Sequence, residues 1–376
     1  MTTMTVYAVE QFGASQSKAG LASSIFIIGA LFSRLLAGKY IEVIGRKKLL
    51  FGGLLLFFIA TVLYFPVNNL NLLMIVRFIH GTAFGIATTA MNTAVMELIP
   101  NERRGEGTSY FSLSSTAATA LGPFLGLFIS QYADFNMVFV SVSIFSVLSI
   151  LFSFFAVIPE ANITKEQIQE MKMGLRLQDF FEIKALPISI IMFMMGIAYS
   201  GILSFLNSYA IQIHLEEAAS MFFVIYATFL FISRPFTGKL LDRKGDNIVV
   251  YPALFLFAIS LILLSQAENG IVLLLTGALV ALGYGTMMSS GQAIAVKEAP
   301  KHRIGLALST FFIFIDGGIG VGPFFIGLLI PHIGYRGMYL ALAAVVLSSI
   351  ILYYYLHGKK VTASKLVLQE SKILNR

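Results

Sequence analysis

An aspartate stands inside the run FFIFIDGGIG, twelve residues beyond Ile304 in a stretch otherwise free of charge, and Arg77 stands about two turns from one end of another apolar run. A charge at the middle of a bilayer costs roughly 3 kcal/mol on insertion scales, so such a residue ordinarily faces a cavity and serves a function. At 1.5 Å per residue, Asp316 lies about 18 Å into its run. A carboxylate at that depth can take up and give back a proton as its surroundings change. Arg77 offers the opposing charge that would eject this proton, or a seat for an anionic substrate. A permanently paired structural role is the alternative for both.

Asn92, Gln292, Asn207, Tyr199 and Tyr284 are neutral polar residues at comparable depth, and His80 lies one turn from Arg77. Together with Met and Phe side chains they are candidates for lining a substrate cavity, since Met-rich surfaces adapt to varied ligands. His80 also reads as a packing group between helices, and Met and Phe as ordinary lipid-facing residues. Arg34 and Arg234 fall near the ends of their runs, where a long side chain can snorkel to water, and are expected to be structural.

What must position these groups is a set of membrane helices. Of 376 residues 57% are hydrophobic and 12% charged, about half the charge of an ordinary soluble domain. Apolar runs near the roughly 20 residues a spanning helix needs fall at 19–37, 49–67, 71–97, 107–132, 136–158, 187–211, 219–237, 248–266, 271–296, 305–332 and 337–357. The basic residues cluster in alternate connections: Lys39 with Arg46 to Lys48, Arg103 with Arg104, the stretch 159–186, Lys239 with Arg243 and Lys244, Lys297 to Arg303, and the tail after Gly358. The opposite connections hold only Lys18 and Arg336. Under the positive-inside rule the first set is expected to be cytoplasmic.

The expected organisation is an N-terminal bundle at 1–158, a cytoplasmic linker at 159–186, a second bundle at 187–358 and a cytoplasmic tail at 359–376. Within the linker, ITKEQIQEMK has helical spacing with Asn162 or Thr164 as a cap. It reads either as a short helix along the membrane surface or as a solvated connector.

The chain repeats itself at an offset of 200. Ser33-Arg34 returns as Ser233-Arg234, Gly38-Lys39 as Gly238-Lys239, Glu42 as Asp242 and Gly45 as Gly245; Pro100, Arg103 and Gly105 return as Pro300, Arg303 and Gly305, and Gly122-Pro123 as Gly322-Pro323. Asn92 and Gln292 are partners in the same register. Both charged turns fall on the basic side, so the halves are parallel repeats related by an axis along the membrane normal. Tyr7-Ala8 matches Tyr209-Ala210, which predicts a further first helix of which only the end, MTTMTVYA, is in this sequence. The expected class is therefore all-α and integral to the membrane, with two six-helix bundles and eleven complete helices here.

These residues resemble the major facilitator superfamily. The turn Gly38, Glu42, Gly45, Arg46, Lys47 is similar to that family's G-x-x-x-D-x-x-G-R-[RK] signature, with Glu for Asp, and Gly238, Asp242 and Gly245 repeat it. Arg77, Gly81 and Gly85 resemble its fourth-helix pattern. Ala120 to Gly126, reading ALGPFLG, is close to the antiporter mark of the fifth helix, and Gly318, Gly322 and Pro323 form a second copy. Ala118 and Leu127 stand where glycine is typical. The resemblance implies a rocking carrier in which the glycine-rich turns gate the basic side.

In such a gate the turn carboxylates would pair with Arg46 or Arg103, a plain structural turn being the alternative. Gly-Pro inside a membrane helix frees a carbonyl and bends the helix, so Gly122, Pro123 and Gly126 with Gly322 and Pro323 are candidate pivots. Close helix packing is the competing explanation.

There is no cysteine and only five histidines, none in a zinc-binding spacing. No nucleophile–base constellation and no phosphate-binding glycine loop appears, so neither an enzyme nor a direct ATP-driven pump is expected. No cofactor, no bound metal and no nucleic acid is expected; the partners are protons, a small molecule and lipid, and the chain is expected to act as a monomer. The leading expectation is proton-coupled export of a drug-like molecule or metabolite across the cell membrane. Proton-coupled uptake is the alternative, and a sensor built on a transporter fold a third.

Overall fold

The computed structural model describes residues 2–161, 163–164, 166–169 and 176–362. Asn162, Lys165, most of the second half of ITKEQIQEMK and the tail beyond 362 lie outside the described residues. All regular structure among these residues is helical: α1 (Thr2–Phe12), α2 (Gln16–Ile44), α3 (Arg46–Val62), α4 (Leu70–Leu98), α5 (Arg104–Tyr132), α6 (Phe135–Phe155), the single turn α7 (Leu177–Phe180), α8 (Leu186–Gln212), α9 (Glu216–Lys244), α10 (Asp246–Ser265), α11 (Gly270–Val280), α12 (Thr286–Glu298) and α13 (Ile304–Tyr353). A π turn, Ala281–Gly285, joins α11 to α12, and a second, Tyr354–Gly358, follows α13. Among the described residues eight helices are long and apolar enough to cross a membrane.

Local chemistry explains the breaks. Gly45 has φ +100° and Gly245 φ +84°, a backbone region open to glycine at no steric cost. Each gives its N–H to the carbonyl four residues back, Ile41 and Leu241, both at 2.9 Å, closing α2 and α9 alike. α13 covers two of the expected spans and turns at Gly334, φ +66°. Asn269 accepts from the Val272 N–H at 3.0 Å and starts α11. Thr164 is the linker cap: its hydroxyl accepts from the Gln167 N–H at 3.3 Å, and the Gln167 side chain accepts from the Thr164 N–H at 3.0 Å, a capping box.

The chain forms two compact units. One comprises Met1–Leu98, Ala118–Glu182 and Ala299–Ile313; the other comprises Ile99–Ala117, Ile183–Glu298 and Phe314–Arg376. Each is built chiefly from one copy of the repeat and takes in one short segment of the other, and those segments begin 200 residues apart. In the first unit α1 packs through Met4, Tyr7 and Ala8 on Ala19, Ala22, Tyr64 and Phe139. Glycines in α4 let α2 approach: a Cβ on Gly81 would overlap the Phe26 carbonyl, and one on Gly85 would lie 2.6 Å from that of Ala30. In the second unit α8 and the first half of α13 are equally close, a Cβ on Gly196 lying 2.9 Å from the Ile315 carbonyl.

Candidate functional site

In the first unit the charged turn is built around Arg46, whose side chain is wholly buried. Its Nε and Nη2 donate to both Glu42 oxygens at 2.7–3.1 Å, and its Nη1 donates to the Pro159 carbonyl at 3.2 Å and lies 3.4 Å from Glu97. Glu160 closes the other side, accepting from the backbone N–H groups of Arg46 at 2.7 Å and Lys47 at 3.0 Å. A carboxylate on the first N–H groups of α3 complements the positive end of its macrodipole. A Cβ on Gly38 would overlap Ser309, and the Ser309 hydroxyl donates to the Arg34 carbonyl.

In the second unit the corresponding carboxylate does something different. Asp242 accepts from the N–H groups of Gly105 at 2.7 Å and Glu106 at 2.9 Å, capping α5. A Cβ on Gly238 would lie 2.6 Å from the Gly105 carbonyl and 2.6 Å from the Ser109 hydroxyl. Gly38 against Ser309 and Gly238 against Ser109 are the same close approach made twice, each pair the other's image under the 200-residue offset. Arg103, expected among the partners of the turn carboxylates, pairs instead with Glu106 at 2.8 Å, which also meets Lys239 at 3.5 Å.

Arg34 and Arg234 do not snorkel. Both are buried: Arg34 stacks 4.8 Å from the Phe312 ring, and Arg234 donates to the Ser112 carbonyl. A ring face at Arg34 and a backbone carbonyl at Arg234 engage the guanidinium groups inside the protein.

Arg77 is buried, and its Nε and Nη2 donate to the Ala22 and Ser23 carbonyls, each at 2.9 Å, with the guanidinium 4.9 Å from the Phe26 ring. His80 is enclosed by rings, with Phe57 at 4.1 Å; its Nδ1 is 3.1 Å from the Tyr64 hydroxyl and its Nε2 3.5 Å from that of Thr61. Asn92 donates to the Thr88 carbonyl of its own helix at 2.7 Å. Gln292 is buried, whereas Asn207 is exposed. The Met and Phe side chains of the first unit line an apolar groove of about 730 Å³ between α3, α4 and α6, with Phe57, Phe84, Met91, Phe145 and Phe152 on its walls.

Asp316 is half-buried on α13, within electrostatic reach of Tyr284. Tyr284 occupies the π turn and stacks on Tyr199, ring centroids 3.9 Å apart and planes 11° from parallel. Tyr226 of α9 stacks beside Tyr199, ring centroids 6.1 Å apart. A π turn inside an α-helix is a recurring mark of functional sites. Tyr226 was not among the expected residues, and its only signal is a tyrosine inside an apolar run. At the Gly-Pro positions α5 and α13 stay helical throughout. A Cβ on Gly322 would overlap the Ser200 hydroxyl, whereas at Gly122 no atom of the described residues lies within 4 Å of that position. The Pro123 side chain lies outside what is described.

Comparison with known proteins agrees with this architecture. An uncharacterised MFS-type transporter of Methanocaldococcus jannaschii is 24% identical over 341 residues, 89% of this chain and 88% of that one. The multidrug resistance protein MdtG of Salmonella typhi is 32% identical over 169 residues, which span 43% of this chain and 42% of MdtG. Among solved structures, the human organic anion transporter MFSD10 superposes with a TM-score of 0.74 at 15% identity, over 93% of this chain and 88% of that one. The E. coli fucose:proton symporter FucP does so with a TM-score of 0.69 at 19% identity, over 94% of both. The sequence profile of the Major Facilitator Superfamily matches residues 1–319 and 218–373, and the chain belongs to that family of multi-pass membrane transporters.

Proposed function

We propose that this transporter exports a small drug-like molecule or metabolite across the cell membrane in exchange for protons, with Asp316 carrying the proton. The observation that carries this reading is a carboxylate inside the apolar helix α13 within electrostatic reach of Tyr284, whose ring stacks on Tyr199. Protonation removes the charge that makes the site costly in a low dielectric, so loading and unloading the proton changes which conformation is favoured. Tyr199, Tyr226 and Tyr284 supply aromatic faces and hydroxyls for a substrate. The turns at Gly45 and Gly245 act as latches on the basic side, which we take to be cytoplasmic together with the linker and the C-terminus. The likeness of ALGPFLG to the antiporter mark, and the partial likeness to MdtG, support export. The substituted glycine positions Ala118 and Leu127 favour the second reading, proton-coupled uptake.

The test is efflux of a panel of dyes and small metabolites from cells expressing the protein, with and without a proton gradient, for the parent and for Asp316→Asn. Gradient-dependent efflux lost in the variant supports the proposal. Efflux unchanged in the variant removes Asp316 from coupling, and gradient-driven accumulation instead of efflux reverses the direction.

A further inference from the structure

Three side chains far apart in sequence converge where the basic turns lie. Asp246 opens α10, Glu298 closes α12, and His357 sits in the π turn after α13. One ligand atom from each, two carboxylate oxygens and a ring nitrogen, lie within 4.8 Å of one another. Asp246 is 2% exposed and His357 6%, while Glu298 faces solvent. His357 Nε2 is 2.9 Å from Asp246 Oδ2, and Lys297 Nζ is 3.1 Å from Asp246 Oδ1. The surroundings hold the trio in register: Tyr353 donates its hydroxyl to the Asn247 side chain at 2.8 Å, and Asn247 donates to the Gly358 carbonyl at 3.0 Å, pinning the π turn to the start of α10.

We infer that Asp246, Glu298 and His357 form a binding site for one divalent ion of the zinc type. One imidazole and two carboxylates are donors such ions accept, at about 2.0–2.2 Å. On a tetrahedral ion those bond lengths place neighbouring donors roughly 3.3–3.6 Å apart. The His357–Asp246 pair therefore opens by about half an ångström when the ion replaces the proton between them. Water completes the coordination from the open Glu298 side, which is also the route of access.

Lys297 is the cation that serves Asp246 without a metal. Its side chain is 57% exposed, and an ammonium held on an exposed stem is weakly held, so a divalent ion displaces it into solvent. A bound ion would tie together the ends of α10, α12 and α13, independently of what the protein transports.

The test uses the full chain without a histidine tag, stripped with a chelator in detergent and titrated with Zn²⁺ against a chromophoric competitor. One zinc per chain is expected. Glu298→Gln and His357→Gln should each weaken binding about tenfold or more, and Lys297→Gln should tighten it by removing the competing cation. Glu298 is exposed, so its variant keeps the fold and decides the matter even where His357→Gln does not fold. Absence of competed zinc in the parent, or an unchanged affinity in Glu298→Gln, overturns the assignment.

Discussion

The carboxylate of Asp242 rests on the first N–H groups of α5, accepting from Gly105 at 2.7 Å and from Glu106 at 2.9 Å. Its repeat partner Glu42, one methylene longer, is bound to the Arg46 guanidinium instead. The two turns share a backbone and differ in chemistry: one caps a helix, the other neutralises a buried cation. They should respond differently to loss of charge. Asp242→Asn keeps an acceptor and weakens the helix-end attraction, at a cost of about 1 kcal/mol. Glu42→Gln leaves the buried Arg46 guanidinium with the Pro159 carbonyl at 3.2 Å and the Glu97 carboxylate at 3.4 Å and costs about 3 kcal/mol, the lower end for a broken buried pair. Thermal unfolding in detergent should rank parent, Asp242→Asn and Glu42→Gln in that order of stability. Equal midpoints for the two variants would refute the difference.

The close approach at Gly238 gives a second expectation. A methyl there meets the Gly105 carbonyl and the Glu106 Cα, at 2.6 and 2.8 Å. Backbone on that side cannot swing away as a side chain would, so overpacking by about 1–3 kcal/mol is expected for Gly238→Ala. Gly122→Ala adds its methyl where no atom of the described residues lies within 4 Å and replaces the poorer helix former, so it should unfold no earlier than the parent. If Gly122 instead acts as a pivot, the same variant keeps its unfolding midpoint and loses transport. Paired measurement of stability and dye flux separates the two roles.

The repeat, the turns and most helix ends were legible because they rest on local chemistry. Glycine is needed where φ is positive, at Gly45 and Gly245, and each helix needs a run of apolar residues long enough to span. Partner choice was not legible. Asp242 bonds backbone groups 137 residues earlier in the chain, and backbone donors carry no sequence signal. Arg34 and Arg234 looked like snorkelling groups because their distance from the helix ends is readable, whereas the Phe312 ring and the Ser112 carbonyl beside them are not. Asp246, Glu298 and His357 meet only through the fold, at separations no metal motif uses, which is why a search by spacing passes over them. Asp316 was legible by cost alone, as a charge in an apolar run, but Tyr284, the tyrosine within its electrostatic reach, comes from the π turn.

The tyrosine stack offers a test of the proposed role of Asp316. A stacked aromatic pair contributes about 0.5–1.5 kcal/mol beyond the area it buries. Tyr284→Phe preserves that ring contact with Tyr199 and removes only the hydroxyl near Asp316. Tyr284→Leu removes both. If the stack forms a wall of the substrate site, the phenylalanine variant should keep the parent's range of exported compounds while shifting the pH dependence of efflux. The leucine variant should lose aromatic substrates preferentially. Identical pH profiles and identical substrate ranges for both variants would detach the stack from transport.

Arg77 separates a structural arginine from a coupling one. Its Nε and Nη2 each hold an α2 carbonyl at 2.9 Å, with the guanidinium plane near Phe26. A lysine keeps the charge and loses the fork, since one ammonium on a flexible stem cannot meet two carbonyls in a fixed geometry. As a clamp between α4 and α2, Arg77→Lys should lower stability by about 1–2 kcal/mol, reduce the amount of folded protein, and leave the pH dependence of transport per folded molecule unchanged. As the group that ejects the Asp316 proton, the same variant should keep its stability, because the charge remains, and Arg77→Gln should move the pH profile of efflux. The hydrogen bonds to Ala22 and Ser23 favour the clamp. Unfolding midpoints measured beside pH profiles for the lysine and glutamine variants decide between them, since an unchanged midpoint with a displaced profile is incompatible with a purely structural role.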